Sequence, residues 1–365
     1  MADPNATPAL YKLPLELVSA ISSFSDVSSL DSISRASKVC RQLFAPHLLK
    51  KVRFDGCQAS LTCLLRGFLL NPADVPVVGL RNHIKCATIV VRSSSATWRK
   101  AANSFREVEG LPMQILDSIQ LMGNLHTLAL DLESLPIYQT IYLAKALEST
   151  VPWRLRHLRV ACDRLLGPAV IEHCCPDTLK ILQMSENTES EEYDAAAKHC
   201  KGLERLRVYA ESSYWWWESL EKITTHFAHL QWLVFSECRQ YYFLGEQGIL
   251  ISDESGYDRA IGKLETFLKK LPKLRYFAFS LGLNQVHDQM LHPNGEDGSP
   301  GVFYEALIDR ISNALPKLRQ LWVVVGWSKI WRGVRTEDGE AMYTEYEYLD
   351  EATHFNRVFP VGLGD

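Results

Sequence analysis

The sequence predicts an α/β protein in which a short helical unit precedes an irregular solenoid of parallel strands covered by outer helices. Three observations predict this class. Residues 13–48 carry apolar residues at helical spacing, one short apolar pattern then recurs nine times, and helical stretches separate its later copies. Because a single strand–helix unit cannot bury its apolar face alone, such units stack on their neighbours into one continuous core.

Composition and charge narrow the class of protein. The 365 residues are 47% hydrophobic and 22% charged, which is ordinary for a soluble globular protein. A net charge of -4 gives no general attraction to nucleic acid or to an anionic membrane. No apolar run is long enough for a transmembrane helix. The nine cysteines have no repeated spacing, which predicts reduced, mostly buried thiols in a cytoplasmic or nuclear protein.

The helical unit, residues 13–48, is predicted to hold three helices and to follow a disordered tail, residues 1–12. Leu13-Pro14 opens it, and proline suits a first helical turn because its missing N–H would have no partner there. Asp26 and Ser37 supply capping side chains for the second and third helices. A unit this small must bury its apolar surface against the rest of the chain or against a partner.

One string in this unit is Leu13-Pro14-x-Glu16-Leu17-x-x-x-Ile21, then Leu30, then Val39-Cys40-Arg41-x-Leu43-Phe44. It resembles the F-box, particularly the divergent fungal kind. Many F-boxes carry a tryptophan in the third helix, where this chain has Gln42, Leu43 and Phe44. The resemblance implies docking on the adaptor subunit of an SCF-type ubiquitin ligase and, through it, on a cullin. The implied adaptor-facing residues are Leu13, Pro14, Leu17, Ile21, Leu30, Ile33, Val39 and Phe44. A second interpretation stays open, in which the same residues are the core of a helical cap on the following domain.

The recurring pattern is an apolar residue, two others, an apolar residue, one other and an apolar residue. The middle copies start about 24 residues apart, within the range of leucine-rich repeats. The copies are Leu49-Val52-Phe54, Ile84-Ala87-Ile89, Leu125-Leu128-Leu130, Leu155-Leu158-Val160, Leu179-Leu182-Met184, Leu203-Leu206-Val208, Leu230-Leu233-Phe235, Leu274-Phe277-Phe279 and Leu318-Leu321-Val323. Residues 49–335 therefore resemble the C-terminal leucine-rich repeats of F-box proteins, which implies that they select a target protein. Residues 336–365 form an acidic, tyrosine-rich C-terminal segment.

Helices are predicted between the strands. Several run into a Leu-Pro-Lys-Leu turn, where proline ends the helix and the next leucine begins the strand. The predicted helices are Met113–Leu121, Ile137–Leu147, Tyr193–His199, Trp216–Phe227, Arg259–Leu268 and Tyr304–Ala314.

Aromatic clusters follow several of the later strands and predict a site for a partner or a small ligand, because tyrosine and tryptophan dominate binding hot spots. The alternative is that some of these rings belong to the core. The candidate residues are Tyr214, Trp215, Trp217, Tyr241, Tyr242, Trp327 and Trp331.

Signals for catalysis are weak, and neither a metal nor a cofactor is predicted. His173-Cys174-Cys175 and His199-Cys200 lack the paired spacing of zinc ligands. There is no phosphate-binding glycine loop and no nucleophile elbow. The strands show no dense arginine patch, which argues against recognition of a phosphorylated segment. The expected function is substrate recognition in an SCF-type ligase. Two alternatives remain: a repeat-fold enzyme or small-molecule-binding protein using Trp215–Trp217 and Tyr241–Tyr242, and an interaction scaffold outside any ligase.

Overall fold

The protein is an α/β protein, as the sequence predicts. The computed structural model describes residues 13–70, 81–93, 109–184, 190–210, 213–237, 254–281, 286, 301–325, 329–336 and 341–347. The predicted tail, residues 1–12, and the candidate residues Tyr241, Tyr242 and Trp327 lie outside these ranges. The chain divides into two compact units between Leu128 and Ala129.

The first unit begins with three helices and continues with strand–helix alternation. Strands β1 and β2 pair in parallel, with Val52 opposite Ala87 and Phe54 opposite Ile89. Its elements are α1 (Leu15–Phe24), α2 (Val27–Ala36), α3 (Lys38–Leu48), β1 (Lys51–Gly56), α4 (Gln58–Leu69), β2 (Cys86–Val91), α5 (Leu111–Gln120) and the start of β3 (Thr127–Asp131).

The second unit continues the alternation after the end of β3. Its elements are α6 (Ile137–Glu148), β4 (His157–Ala161), α7 (Leu166–Glu172), β5 (Ile181–Met184), α8 (Ser190–His199), β6 (Arg205–Ala210), α9 (Ser213–His226), β7 (Trp232–Glu237), α10 (Glu254–Leu268), β8 (Tyr276–Ser280), α11 (Gly301–Ala314), β9 (Gln320–Val325), β10 (Lys329–Arg335) and β11 (Ala341–Glu347). Strands β4 to β9 pair in parallel in chain order.

The repeated pattern sets the register of these strands. We number each copy from its first apolar residue, so that positions 1, 4 and 6 are the apolar ones. Residues at position 4 pair with one another from strand to strand, and all of them are buried. This row is Leu158, Leu182, Leu206, Leu233, Phe277 and Leu321. Because strand side chains alternate between faces, positions 4 and 6 supply the core on one face, and positions 3 and 5 lie on the other.

A main-chain hydrogen-bond ladder joins the copies at the start of each strand. The carbonyl oxygen at position 2 accepts the N–H groups of positions 2 and 3 of the next copy. Arg156 O accepts from Lys180 N at 2.9 Å and from Ile181 N at 3.1 Å. The same arrangement recurs within the second unit at the carbonyls of Lys180, Glu204, Gln231 and Arg275, and within the first unit at those of Lys50 and Lys85.

The C-terminal end of the sheet corrects the prediction of purely parallel strands. β10 pairs antiparallel with both β9 and β11, so the sheet is mixed. Trp331 on β10 stacks on Tyr304 of α11, with ring centroids 5.9 Å apart. Gly333 approaches Ile308 of the same helix so closely that a Cβ atom there would collide with the isoleucine side chain. Within the predicted C-terminal segment, residues 341–347 form β11, a strand of this sheet.

Candidate functional site

Local sequence explains how the N-terminal helices form. The Asp26 carboxylate caps α2 by accepting the Ser29 N–H at 2.8 Å, and these hydrogen bonds hold the pKa of Asp26 below its usual value. The Ser37 hydroxyl caps α3 by accepting the Cys40 N–H at 3.0 Å. α1 begins directly after Pro14, whose carbonyl accepts the N–H groups of Leu17 and Val18. Both predicted capping residues have this role.

The three N-terminal helices enclose a small core of their own. Val18, Leu30 and Phe44 are almost completely buried at its centre. Leu13, Ile33, Cys40, Leu43 and Leu48 pack against them. Of the residues predicted to face a partner, Leu30 and Phe44 thus lie inside, while Leu13 and Ile33 are partly buried.

The outer surface of these helices is apolar along α1. Leu17, Ile21 and Phe24 are 50%, 42% and 93% exposed. Their i, i+4, i+7 spacing places them on one helix stripe, because each residue turns an α-helix by about 100°. Val27 of α2 and Val39 of α3 are also exposed. We call these five residues the apolar stripe. Phe24 and Val27 were not predicted as site residues, although Phe24 continues the spacing of Leu17 and Ile21.

The second unit carries a different surface, formed by positions 3 and 5 of strands β4 to β9 together with the residues of β10 that pair with them. We call it the strand face. Its position-3 residues are His157, Ile181, Arg205, Trp232, Tyr276 and Gln320. Its position-5 residues are Arg159, Gln183, Arg207, Val234, Ala278 and Trp322, and Arg332 of β10 pairs with Trp322.

The β4–β6 part of the strand face is cationic. Arg159 is exposed, and Arg205 and Arg207 are partly buried. Gln183 lies between Arg159 and Arg207 in register. Burial, reinforced by the charges of Arg159 and Arg205, lowers the pKa of His157 to about 4. The ring is therefore neutral at physiological pH.

The β7–β10 part of the strand face is aromatic. Trp232 and Tyr276 stack with centroids 4.2 Å apart and an interplanar angle of 18°. The guanidinium of Arg332 lies over Trp322, 4.9 Å from the ring centroid. Trp232 and Trp322 pack against a buried apolar cluster of Val234, Ala278, Val324 and Ile330. Sequence reasoning did not select Trp232, Tyr276 or Trp322, but a signal was available: they occupy the variable positions of consecutive copies of the pattern.

Of the predicted aromatic residues, the structure describes the side chains of Trp217 and Trp331, and these two pack against different helices. Trp217 of α9 packs near Phe267 of α10, with centroids 6.2 Å apart, and Lys263 Nζ lies 4.5 Å from its ring centroid. Trp331 packs instead against Tyr304 of α11. Tyr214 and Trp215 lie within α9, but their side chains are outside the described part of the chain. Trp217 and Trp331 are each partly buried against these neighbours.

The histidines of the two histidine–cysteine pairs lie within hydrogen-bonding distance of protein oxygen atoms. His199 Nε2 lies 2.7 Å from the Cys174 carbonyl, and His173 Nε2 lies 3.2 Å from the Thr150 hydroxyl. Burial raises the pKa of the Cys200 thiol to about 12, so it stays protonated. In the described ranges, no group of three or more His, Cys, Asp or Glu residues could hold a metal ion.

Two pockets lie at turns that precede strands, one before β8 and β9 and the other before β5 and β6. One, of about 220 Å³, is bordered by the Leu-Pro-Lys-Leu turns around Pro272 and Pro316. The other, of about 340 Å³, is bordered by Lys198, Lys201 and Asp177. Neither contains the aromatic residues that the sequence predicts to form a site. Among the described helices, none is both long and apolar enough to cross a bilayer.

Comparison with known proteins adds no assignment. No family model matches the chain, and no curated protein is significantly similar to it. The apolar stripe and the strand face are therefore the features from which function has to be argued.

Proposed function

We propose that this chain is the substrate-recognition subunit of an SCF-type ubiquitin ligase, present in the cytoplasm or the nucleus. The N-terminal helices are a divergent F-box that binds the adaptor and, through it, a cullin. Residues 49–335 act as irregular leucine-rich repeats that bind a target protein through the strand face.

The apolar stripe carries the proposal. Three short helices that already enclose a core still expose Leu17, Ile21 and Phe24 along one line of α1. Contiguous exposed apolar surface on a soluble protein typically marks a site for another macromolecule. The cap interpretation requires Leu17 and Ile21 to be buried against the following domain, whereas they are 50% and 42% exposed.

The buried residues of the unit have a different part in this proposal. Phe44 lies close to where many F-boxes carry a tryptophan, and it fills the core together with Val18 and Leu30. These residues hold the helices in place, while Leu17, Ile21 and Val39 offer the contact surface. Pro14, which is exposed at the start of α1, extends that surface.

Adaptor recovery tests the proposal. Tagged full-length protein should co-purify the adaptor and a cullin from cells, and Leu17→Ala/Ile21→Ala should abolish recovery while the thermal unfolding midpoint stays unchanged. A matched control is Ile137→Ala/Ile141→Ala, which removes two exposed isoleucines from α6; it should leave recovery intact. Failure of the unmodified protein to recover the adaptor would overturn the proposal. Unfolding of the Leu17/Ile21 variant would support the cap.

A further inference from the structure

Two consecutive Leu-Pro-Lys-Leu turns of the second unit line the pocket of about 220 Å³ that lies before β8 and β9. We call it the turn pocket. In each turn the last leucine donates its N–H to the carbonyl of the first: Leu274 N lies 3.1 Å from Leu271 O, and Leu318 N lies 2.9 Å from Leu315 O. Proline fixes the φ angle at the second position of each turn. The two walls are therefore ordered in advance, which lowers the entropic cost of binding a partner.

The inside of the turn pocket is apolar. Buried leucines line it, among them Leu268, Leu274 and Leu318. Pro272 and Pro316 also line it and are exposed to solvent. Sites for cofactors and drug-sized molecules occupy about 300–1,000 Å³. The smaller volume of the turn pocket suits a single apolar side chain from a larger partner.

Exposed cations adjoin the turn pocket. Lys269 and Lys317 line it, and the Nζ atom of Lys317 lies 3.5 Å from the Pro272 carbonyl oxygen. Arg275 and Arg319 directly follow the two turns, and they lie side by side because Arg319 N donates to Arg275 O at 2.7 Å. All four cationic side chains are exposed. Within the described residues, none of the four forms an ion pair.

Acidic groups of the described turns do not offset this charge. Residues 268–276 and 314–320 contain no Asp or Glu. Glu265, one helical turn before Lys269, already accepts a hydrogen bond from Arg310 Nε at 3.1 Å. The C-termini of α10 and α11 each contribute about half a negative charge. Together they cancel about one of the four positive charges, so the surroundings of the turn pocket stay cationic.

Shape and composition favour a protein as the partner. Binding to a bilayer surface requires apolar side chains that project into the lipid, whereas these leucines line a recess between cations. Single-stranded nucleic acid requires rings on which its bases stack, and residues 268–275 and 314–319 contain no aromatic residue. A protein segment can place one apolar side chain inside the recess and carboxylates on the cations outside it.

We infer that the turn pocket binds a segment of another protein that carries one large aliphatic residue flanked by Asp or Glu. The aliphatic side chain enters between the two prolines. The carboxylates pair with Lys269 and Lys317 at the pocket and with Arg275 and Arg319 beside it. This inference goes beyond the ligase proposal and does not depend on it, because the turn pocket and the apolar stripe share no residue.

Peptide selection on the purified full-length chain tests this inference. A displayed library of random nine-residue peptides should enrich Leu, Ile, Val or Met flanked by Asp or Glu. Binding of a selected peptide should weaken at least about tenfold in Lys269→Glu/Lys317→Glu, because each change turns an attraction into a repulsion. Replacing the aliphatic residue of the peptide by alanine should also weaken binding at least about tenfold, because its burial is lost.

The matched control is Lys198→Glu/Lys201→Glu, which makes the same change of charge at two exposed lysines of the other pocket. This variant should bind the peptide normally. Both variants should keep the native thermal unfolding midpoint and should recover the adaptor as the unmodified protein does. Loss of peptide binding with intact adaptor recovery therefore concerns the turn pocket alone, and peptide binding without adaptor recovery refutes the ligase proposal alone.

Several results would overturn the inference. One is enrichment of peptides without acidic residues, and another is equal weakening by the two lysine variants. A third is binding of phosphatidylserine vesicles or of a uridine oligonucleotide that depends on Lys269 and Lys317, with no acidic peptide bound. A fourth is peptide binding that appears only after Glu337, Asp338 and Glu340, between β10 and β11, are made neutral, since the chain's own acidic segment would then be the occupant.

Discussion

Arg205 and Trp232 occupy the same repeat position on neighbouring strands, and the arginine guanidinium lies 5.1 Å from the centroid of the tryptophan ring. Trp232 in turn stacks on Tyr276 of the next strand. A continuous stack therefore crosses three strands on the face opposite the helices. Cation–π and aromatic pairs each contribute about 0.5–1.5 kcal/mol, so this stack stabilises the face and fixes the orientation of Arg205.

Trp232 and Trp331 should contribute unequally to stability. Trp331→Ala removes the ring that stacks on the buried Tyr304, and we expect the free energy of unfolding to fall by about 3 kcal/mol. Trp232→Ala should cost only about 1 kcal/mol, because it removes the cation–π and stacking contacts of a partly buried ring. Urea denaturation of both variants checks this order. An equal or larger loss in Trp232→Ala would contradict it.

His157 should make stability depend on pH. Its pKa is about 4 in the folded protein, against an ordinary value of 6.5. Between these values the unfolded chain holds the extra proton, so stability falls as the pH decreases from 6.5 to 4, by up to about 3 kcal/mol. Urea denaturation at several pH values should show this slope in the native protein and a shallower one in His157→Gln.

The charges beside His157 provide a second check on this pH effect. Arg159→Gln should raise the pKa of His157, because it removes a positive charge near the ring. NMR titration of the imidazole measures that pKa directly. Identical pH slopes in the native protein and His157→Gln would contradict the assignment.

Gly333 should tolerate no side chain while Ile308 is present. The Cβ atom of an alanine at this position would overlap the Ile308 side chain, so Gly333→Ala should lower the free energy of unfolding by about 1–3 kcal/mol. Ile308→Ala removes the colliding group and leaves a cavity that the new methyl can partly fill. The double variant should therefore cost less than the sum of the single ones. Strict additivity in this double-mutant cycle would show that the two residues do not interact.

Substitution of Phe44 should impair folding, whereas substitution of the apolar stripe should impair binding alone. Phe44→Ala truncates a side chain that is 1% exposed, and we expect a loss of about 3–5 kcal/mol. Because the helical core is small, this loss should melt the N-terminal helices and with them adaptor recovery. Circular dichroism separates this outcome from that of Leu17→Ala/Ile21→Ala, which should keep its helicity. A helical Phe44→Ala protein that still loses the adaptor would place Phe44 in the contact surface.

The repeat strands were predictable because their signal is local. Each of the nine pattern copies coincides with one of the strands β1 to β9, and the predicted helix Ile137–Leu147 differs from α6 by one residue. Helices α4 and α7 were not predicted. β10 and β11 were missed because they lack the apolar pattern; β10 has Gly333 where a side chain would meet α11. Acidic and tyrosine-rich composition indicated a tail, although alternation in Ala341–Glu347 was compatible with a strand.

The candidate sites were harder to predict because they depend on register. Arg159 and Arg207 are far apart in sequence and become neighbours only when β4, β5 and β6 align. The consecutive tryptophans from Trp215 to Trp217 stand out in the sequence, whereas the stack of Arg205, Trp232 and Tyr276 is built from single side chains on separate strands. On α1, helical spacing correctly grouped Leu17 with Ile21, but it could not tell exposed Phe24 from buried Val18.

The ladder of position-2 carbonyls uses main-chain atoms alone, and arginine, lysine, glutamate and glutamine all occupy that position. Joining one copy to the next thus demands no particular side chain. An additional copy could be inserted as a cassette, and the outward residues of an existing one could be exchanged, without redesigning the joints. In such a scaffold, main-chain atoms join the copies and outward side chains contact other molecules. New binding specificities can therefore evolve while the framework stays unchanged.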